Sequence, residues 1–460
     1  MAKVKQIWSC VECGHSQTKW TGSCPACHKW NTFSEEVEIP QEKARFGPTN
    51  EKSSKPVRIN EVEQVELPRI KTGIGEFDRL MGGGVVHGSF SLIGGDPGIG
   101  KSTLMLQVCE KFASQGLTVL YISGEESAQQ TSMRAKRLGI AAESLYLLSE
   151  TRFSAIKLNV EQMKPDILII DSIQIVYKEE LPSAPGSVTQ VREIATECMH
   201  LSKGMGIATF LIGHVTKAGE IAGPRVLEHL VDTVLDFDGD RQHGYRMLRG
   251  AKNRFGPTDD IAIFQMTERG LDEVENPSLL FLEERKERTA GSVIIPTIEG
   301  TRPFLVELQA LVAPSPFSNS TRKSTGLNPN RLSLLLAVIE KRMGYHLHNK
   351  DVFVSVAGGL KITEPAIDLG ILLAICASYS NRAVEGKTLV FGEVGLGGEV
   401  RSVPRVESRI KEAVHMGFER CVLPKRNLKG LSKSLTGKIA LIGIESIEEA
   451  ISVLSPAASK

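Results

Sequence analysis

Three groups of residues have the types and spacing to do chemistry. The first is Gly94-Gly95-Asp96-Pro97-Gly98-Ile99-Gly100-Lys101-Ser102-Thr103, a GxxxxGK[ST] pattern between the apolar run Ser89 to Ile93 and the helix-patterned run Leu104 to Ser114. Glycines 95, 98 and 100 let successive backbone N–H groups curl around a phosphate, Lys101 reaches the β- and γ-phosphates, and the Ser102 hydroxyl can hold Mg²⁺. Residues Gly95, Asp96, Pro97, Gly98, Ile99, Gly100, Lys101, Ser102 and Thr103 are therefore expected to bind a nucleoside triphosphate. The second group is Cys10-x-x-Cys13 with Cys24-x-x-Cys27, two knuckles whose thiolates can converge on one tetrahedral ion. Four thiolates leave no coordination position for a substrate, so a structural Zn²⁺ is expected.

The third group sits at the ends of strand-like runs. Thr118 to Ser123 is β-rich and ends in Gly124-Glu125-Glu126-Ser127, and the run Ile167 to Ile170 ends in Asp171-Ser172. Open α/β sheets keep their ligands outside the carboxyl ends of their strands. Glu125 is the first choice to orient an attacking water and Glu126 the alternative; a solvated acidic pair at a helix start is the bland reading. Asp171 has the Walker B position, from which an acid orients Mg²⁺ through the P-loop serine or a water. Thr209 to Gly213 ends in His214, either a γ-phosphate sensor or a plain strand-end histidine. Tyr245 to Leu248 runs into Arg249-Gly250-Ala251-Lys252-Asn253-Arg254-Phe255-Gly256, where two cations flank an Asn in a turn suited to phosphate, on nucleotide or on DNA.

The elements that must hold these groups follow from composition and pattern. At 460 residues, the chain has room for several domains. With 55 Lys+Arg against 54 Asp+Glu its formal net charge is +1, so any polyanion must be met by a local patch and not by a global field. No signal-like pattern opens the sequence and no apolar run reaches membrane-spanning length, so a cytoplasmic location without membrane contact is expected. Of the 8 Cys, Cys109, Cys198, Cys376 and Cys421 are isolated and read as reduced, buried thiols. Trp8, Trp20 and Trp30 are all the tryptophan in the chain, and they are expected to pad the metal core of the ribbon. Residues 35–66 are polar and proline-bearing, a linker pattern, and the stretch 215–229 joins two strand-like runs as a loop.

Together the ribbon, GGDPGIGKST, the Glu125-Glu126 strand end, ILIIDS and the pentapeptide Lys252 to Gly256 resemble the bacterial RadA (Sms) family of RecA-related DNA-repair ATPases along the whole length. The resemblance implies an ATP-hydrolysing, DNA-dependent motor acting on single-stranded and branched DNA, with ATP, Mg²⁺ and Zn²⁺ as cofactors. It also implies a RecA-type recombinase as partner and assembly into a homo-oligomeric, hexameric ring. On this reading Lys101 and Glu125 are catalytic, with Arg254 or Lys252 acting on a neighbouring subunit's nucleotide or on the DNA.

Beyond Glu283-Glu284-Arg285-Lys286 the composition changes to β-segments, a Ser/Pro/Asn-rich loop over 314–330, the helix-like Arg331 to Met343 and the apolar run Ala366 to Tyr379. This order is similar to the proteolytic domain of Lon. Where Lon has its serine this chain has Ala366 after Pro365, and where Lon has its lysine it has Glu407. Acyl transfer needs an activated nucleophile, which neither supplies, so an inactive assembly domain is expected. The expected fold class is α/β, a RecA-like P-loop core with a four-Cys zinc ribbon before it and an α+β Lon-protease-like domain after it. The expected divisions are ribbon 1–34, linker 35–66, ATPase 67–285 and assembly domain 286–460. Two rival readings are an ATP-dependent protease, which lacks its dyad here, and a regulatory ATPase resembling KaiC that controls protein partners without DNA.

Overall fold

The computed structural model describes residues 5–38, 58, 68–214, 226–239, 244–258, 260–283, 285, 289–316, 320–432, 435 and 437–456. Most of the expected linker 35–66, and residues 215–225 of the expected loop 215–229, lie outside these residues. The chain divides into two compact units, Met1–Glu273 and Val274–Lys460.

The first unit opens with an antiparallel ribbon ordered β2-β1-β3, from β1 (Lys5–Cys10), β2 (Ser16–Gln17) and β3 (Phe33–Glu38). β3 continues to Glu38, inside the stretch read as linker, because its stability comes from backbone pairing with β1 along its length and its polar composition gives no sign of that. A hairpin of β4 (Arg69–Ile70) and β5 (Val85–Val86) encloses α1 (Gly75–Leu80).

Among the described residues a nine-stranded sheet follows, ordered β14-β13-β12-β11-β6-β10-β9-β7-β8. β6 (Phe90–Gly95), β7 (Val119–Ser123), β8 (Leu145–Ser149), β9 (Ile167–Asp171), β10 (Ala208–Ile212) and β11 (Thr233–Asp238) run parallel. β12 (Tyr245–Asn253), β13 (Ile261–Thr267) and β14 (Gly270–Glu273) extend the sheet as an antiparallel meander. The intervening helices are α2 (Lys101–Ala113), α3 (Ala128–Arg137), α4 (Phe153–Met163), α5 (Val188–Met205) and α6 (Val226–Leu230), the last a short helix where a loop was expected.

Strand alternation divides the core between the two faces. Ile93, Ile169 and Ile212 pack with Leu104, Val108 and Phe112 of α2, whereas Leu92, Ile170 and Leu211 pack with Ile156, Val160 and Ile194 of α4 and α5. Covered on both sides, the central strands can be almost wholly apolar. Their polar chemistry is left to their tips.

In the second unit α7 (Pro277–Leu282) precedes β15 (Ser292–Glu299), β16 (Arg302–Pro314), β17 (Arg322–Thr325), α8 (Pro329–Met343), β18 (Lys350–Val356) and α9 (Asp368–Ser380). Then come β19 (Arg382–Val384), β20 (Thr388–Val390), β21 (Glu393–Val394), β22 (Val400–Arg401), α10 (Val406–His415), β23 (Arg420–Pro424), β24 (Ala440–Ile444), α11 (Ile447–Ile451) and β25 (Leu454–Pro456). The main sheet is ordered β17-β18-β16-β15-β20-β23-β24. The division falls at 273/274, upstream of the composition change near residue 285, because α7 packs on β16, with Phe281 against Phe304 at 5.8 Å. β17 lies within the expected loop 314–330: its Arg-Lys-Ser-Thr sequence has no apolar alternation and pairs at the sheet edge with β18.

Candidate nucleotide site and metal centre

β6 is the middle of the first sheet, buried at every residue, and its end turns directly into the P-loop. Gly95 has φ 150°, and a Cβ added there would lie 2.5 Å from the Phe237 carbonyl oxygen, so only glycine lets the loop leave the sheet at this point. The crest Asp96-Pro97-Gly98 is exposed, Ile99 is buried beneath it, and Gly100 is the residue before α2. Lys101, Ser102 and Thr103 form the first turn of that helix, whose free N–H groups and dipole favour an anion. Lys101 is only 4% exposed, and its Nζ donates to Gly95 O at 2.7 Å and Asp96 O at 2.9 Å. Burial pushes its ammonium below the usual lysine value, against the opposing pull of Asp171, Glu125 and Asp96.

The sheet order then gathers the acids. β10 lies between the P-loop strand and β9, and β7 lies beyond β9, so Gly95, His214, Asp171 and Glu125 all stand at the same sheet edge. His214 bridges two of them: Nδ1 is 3.3 Å from Lys101 Nζ, and Nε2 is 2.7 Å from Glu125 Oε1. Since an ammonium only donates, Nδ1 accepts and Nε2–H donates to the carboxylate. Ser172 Oγ donates to the same Glu125 oxygen at 2.5 Å. Burial acts to raise the Glu125 pKa, but these two donors and the Lys101 charge outweigh it and leave it below the usual value. Glu126 is otherwise engaged, paired with Arg134 of α3. A capping box at Ser127 and Gln130, with Ser123 Oγ donating to Glu126 O at 2.9 Å, fixes this turn and points the two carboxylates apart. Tyr121 donates to Asp171 Oδ2 at 2.6 Å; burial and that charge push the phenol well above its ordinary pKa.

Lys252 and Arg254 are not brought to this edge. β11 aligns Phe237 with Gly95 at one end and Thr233 with Asn253 at the other, a separation of about 13 Å along the strand. The pentapeptide is thus at the opposite edge from the P-loop of its own subunit. Lys252 and Asn253 are the last residues of β12 and not part of a free turn. Lys252 Nζ donates to Glu228 O at 2.5 Å and Val231 O at 2.8 Å, at the end of α6. Asn253 Nδ2 donates to Leu80 O at 3.1 Å, and Arg254, 55% exposed, pairs with buried Asp232 at 3.1 Å. At Gly256 a Cβ would lie 2.7 Å from Gly82 Cα, so the last position of the pentapeptide needs glycine for a close backbone approach.

In the ribbon the four cysteine sulfurs lie within 4.8 Å of one another, with Cys10 to Cys27 at 3.7 Å and Cys13 to Cys24 at 3.5 Å. Zn–S bonds of about 2.3 Å in a tetrahedron require sulfurs about 3.8 Å apart, so the set fits Zn²⁺. Each knuckle closes by two backbone bonds: Gly14 N to Cys10 O and Cys10 N to His15 O, both at 2.9 Å, and His28 N to Cys24 O at 2.8 Å with Cys24 N to Lys29 O at 2.9 Å. The tryptophans depart from expectation: Trp20 is 53% and Trp30 75% exposed, so they do not pad the metal core. Both rings lie instead over Gly22, where an added Cβ would stand 3.3 Å from Trp30 Cζ3 and 4.0 Å from Trp20 Cη2.

Family models match three stretches of the chain: an AAA domain over residues 56–220, subunit ChlI of Mg-chelatase over 333–427, and a rubredoxin metal-binding domain over 8–35. The DNA repair protein RadA of Chlamydia muridarum is 52% identical over 452 residues, covering 98% of this chain and 99% of its own. That of Bacillus subtilis is 51% identical over 454 residues, again 98% and 99%. The chain belongs to the RadA family. A solved KaiC-like protein of Pyrococcus horikoshii aligns with 45% of this chain and all of its own, at 22% identity and a TM-score of 0.39. This RadA-family chain is an ATPase that joins a four-cysteine zinc ribbon to a RecA-like P-loop core and a ChlI/Lon-like C-terminal region. None of its described helices is long and apolar enough to cross a membrane.

In the C-terminal unit of this RadA-family member, Ala366 is buried in a short turn before α9, and its carbonyl accepts from Gly392 N at 2.7 Å. Glu407 on α10 accepts from Ser432 N at 3.1 Å. Three residues near the P-loop escaped the sequence reading: Ser172, Tyr121 and Arg246, whose Nε donates to Ile99 O at 3.1 Å. A tyrosine inside the aliphatic run Val119 to Ile122 was the available signal for one of them. Nothing in the sequence pattern distinguishes the other two.

Proposed function

We propose that the chain is an ATP-driven DNA-repair motor that binds single-stranded and branched DNA and moves recombination intermediates by branch migration. The observation that carries the reading is the hydrogen-bonded series Lys101, His214, Glu125 at one edge of the sheet, which couples the phosphate-binding lysine to a carboxylate that, among the described residues, forms no other ion pair. Lys101 steadies phosphate charge, and Glu125 orients the attacking water and takes its proton. His214, touching both, senses the γ-phosphate. Ser102 and Asp171 offer the hydroxyl and carboxylate oxygens that suit Mg²⁺. When bound, Mg²⁺ neutralises charge on the transferring phosphoryl group.

Arg254 and Lys252, held about 13 Å of strand or more from their own P-loop, act on the nucleotide of a neighbouring subunit or on DNA. The first follows if the protein forms a homo-oligomeric ring, which we take to be hexameric and assembled through the Lon-like region. Ala366 and Glu407 leave that region without a nucleophile, so it serves as scaffold and not as a protease. The ribbon and the exposed faces of the ring would serve a RecA-type recombinase, in the cytoplasm. Displacement of a labelled strand from branched DNA tests the reading. We expect it to require ATP and to vanish with Lys101→Ala; ATP-independent displacement, or none by the parent protein, would refute the motor.

A further inference from the structure

Tyr121 is the polar-tipped exception in β7, a strand otherwise made of Val119, Leu120, Ile122 and the terminal Ser123. Its side chain is 2% exposed and packs in the cluster that includes Leu104, Val108 and Cys109. Phenylalanine would fill this space with the same ring. The hydroxyl therefore needs another explanation, since a buried donor without a partner costs more than it contributes. Its partner is Asp171 Oδ2 at 2.6 Å. The sheet register makes the contact possible: Tyr121 is opposite Ile169 and Ser123 opposite Asp171, so ring and carboxylate are diagonal neighbours within reach of an aromatic side chain. The main chain holds the same tip, with Gly124 N donating to Asp171 O at 2.8 Å.

We propose that Tyr121 is a positioning residue for the metal-binding acid, its O–H fixing Oδ2 of Asp171 and leaving Oδ1 for the Mg²⁺ shell. This rests on the reading of Asp171 given above. Side chains that orient a ligand from behind commonly govern metal affinity by about 10–100-fold, although they never touch the ion. Ser102, the other oxygen donor, comes from the first turn of a helix and is set by the backbone; a lone carboxylate at a strand tip has a free torsion and needs such a restraint.

The test uses the full chain with Mn²⁺ as probe, its binding read by electron paramagnetic resonance in the presence of a non-hydrolysable ATP analogue. Tyr121→Phe, which keeps the ring packing, is expected to weaken Mn²⁺ binding about tenfold or more. Nucleotide affinity in EDTA should stay at the parent's value, and the nucleotide-free chain should still unfold cooperatively, its midpoint lowered by only the few degrees that one lost hydrogen bond accounts for. Asp171→Asn, run in parallel, should weaken Mn²⁺ at least as much. If Asp171→Asn weakens Mn²⁺ binding and Tyr121→Phe does not, the positioning role is wrong while the metal role of Asp171 stands. If Asp171→Asn binds Mn²⁺ like the parent, both are wrong. An equal loss of metal-free nucleotide affinity in Tyr121→Phe would mean general damage to the site and would overturn the proposal as well.

Discussion

Glu125 and Glu126 are adjacent carboxylates with different surroundings, and that difference predicts different kinetics. Glu125 accepts from Ser172 and His214 beside the P-loop lysine, while Glu126 is paired with Arg134. Glu125→Gln is expected to lower kcat by about 10²–10⁴. Glu126→Gln removes only a half-exposed ion pair, of about 1 kcal/mol or less, and should turn over within a few-fold of the parent. Equal losses in steady-state ATPase would reverse the assignment. The same contacts set a pH dependence. Donors to Glu125 hold its pKa below the usual value, so this carboxylate, the proposed general base, stays charged until the pH falls through that lowered pKa. The matching stability contribution is present above the unfolded pKa and is lost over the same fall. His214→Ala removes one donor and should move the acid limb of kcat/KM to higher pH; an unmoved limb would show that His214 does not tune this carboxylate.

At the scale of elements, sequence reading succeeded where backbone and side chain tell the same story. β6, β9 and α2 are long apolar patterns joined by a glycine loop, and they stand where their residues indicate. It failed where pairing alone makes the element: β17 and the outer half of β3 are polar edge strands, and α6 is a helix of five residues. The acidic strand ends were visible, but which carboxylate faces the lysine depended on the capping box that starts α3, and the diagonal reach of Tyr121 depended on register. The pentapeptide was visible as chemistry but not as placement, because only the antiparallel return of β12 puts it at the far edge. In the ribbon, element and metal are inseparable. Cys10→Ser or Cys24→Ser should release Zn²⁺ and unfold residues 5–38 alone, since metal binding supplies that unit's folding free energy. Zinc content by atomic absorption should fall while the thermal transition of the ATPase core stays; loss of the core transition would contradict this separation.

For the whole molecule, the separation between the P-loop and Arg254 within one chain leaves that arginine, in the proposed ring, to a neighbouring subunit's nucleotide or to DNA. An arginine supplied in trans accelerates phosphoryl transfer by about 10³–10⁵. Arg254→Ala should retain ATP binding and lose DNA-stimulated hydrolysis, and mixing it with Lys101→Ala subunits should restore part of the rate, since some interfaces then join a sound P-loop to a sound arginine. If mixing restores nothing and Arg254→Ala flattens the salt dependence of DNA affinity, the residue contacts DNA phosphate instead. The most direct measurement of the central claim is ATP turnover by the intact protein at fixed salt, with and without single-stranded DNA. The motor account predicts turnover that rises severalfold with single-stranded DNA and saturates as it binds, whereas an unchanged rate at saturating DNA would contradict it.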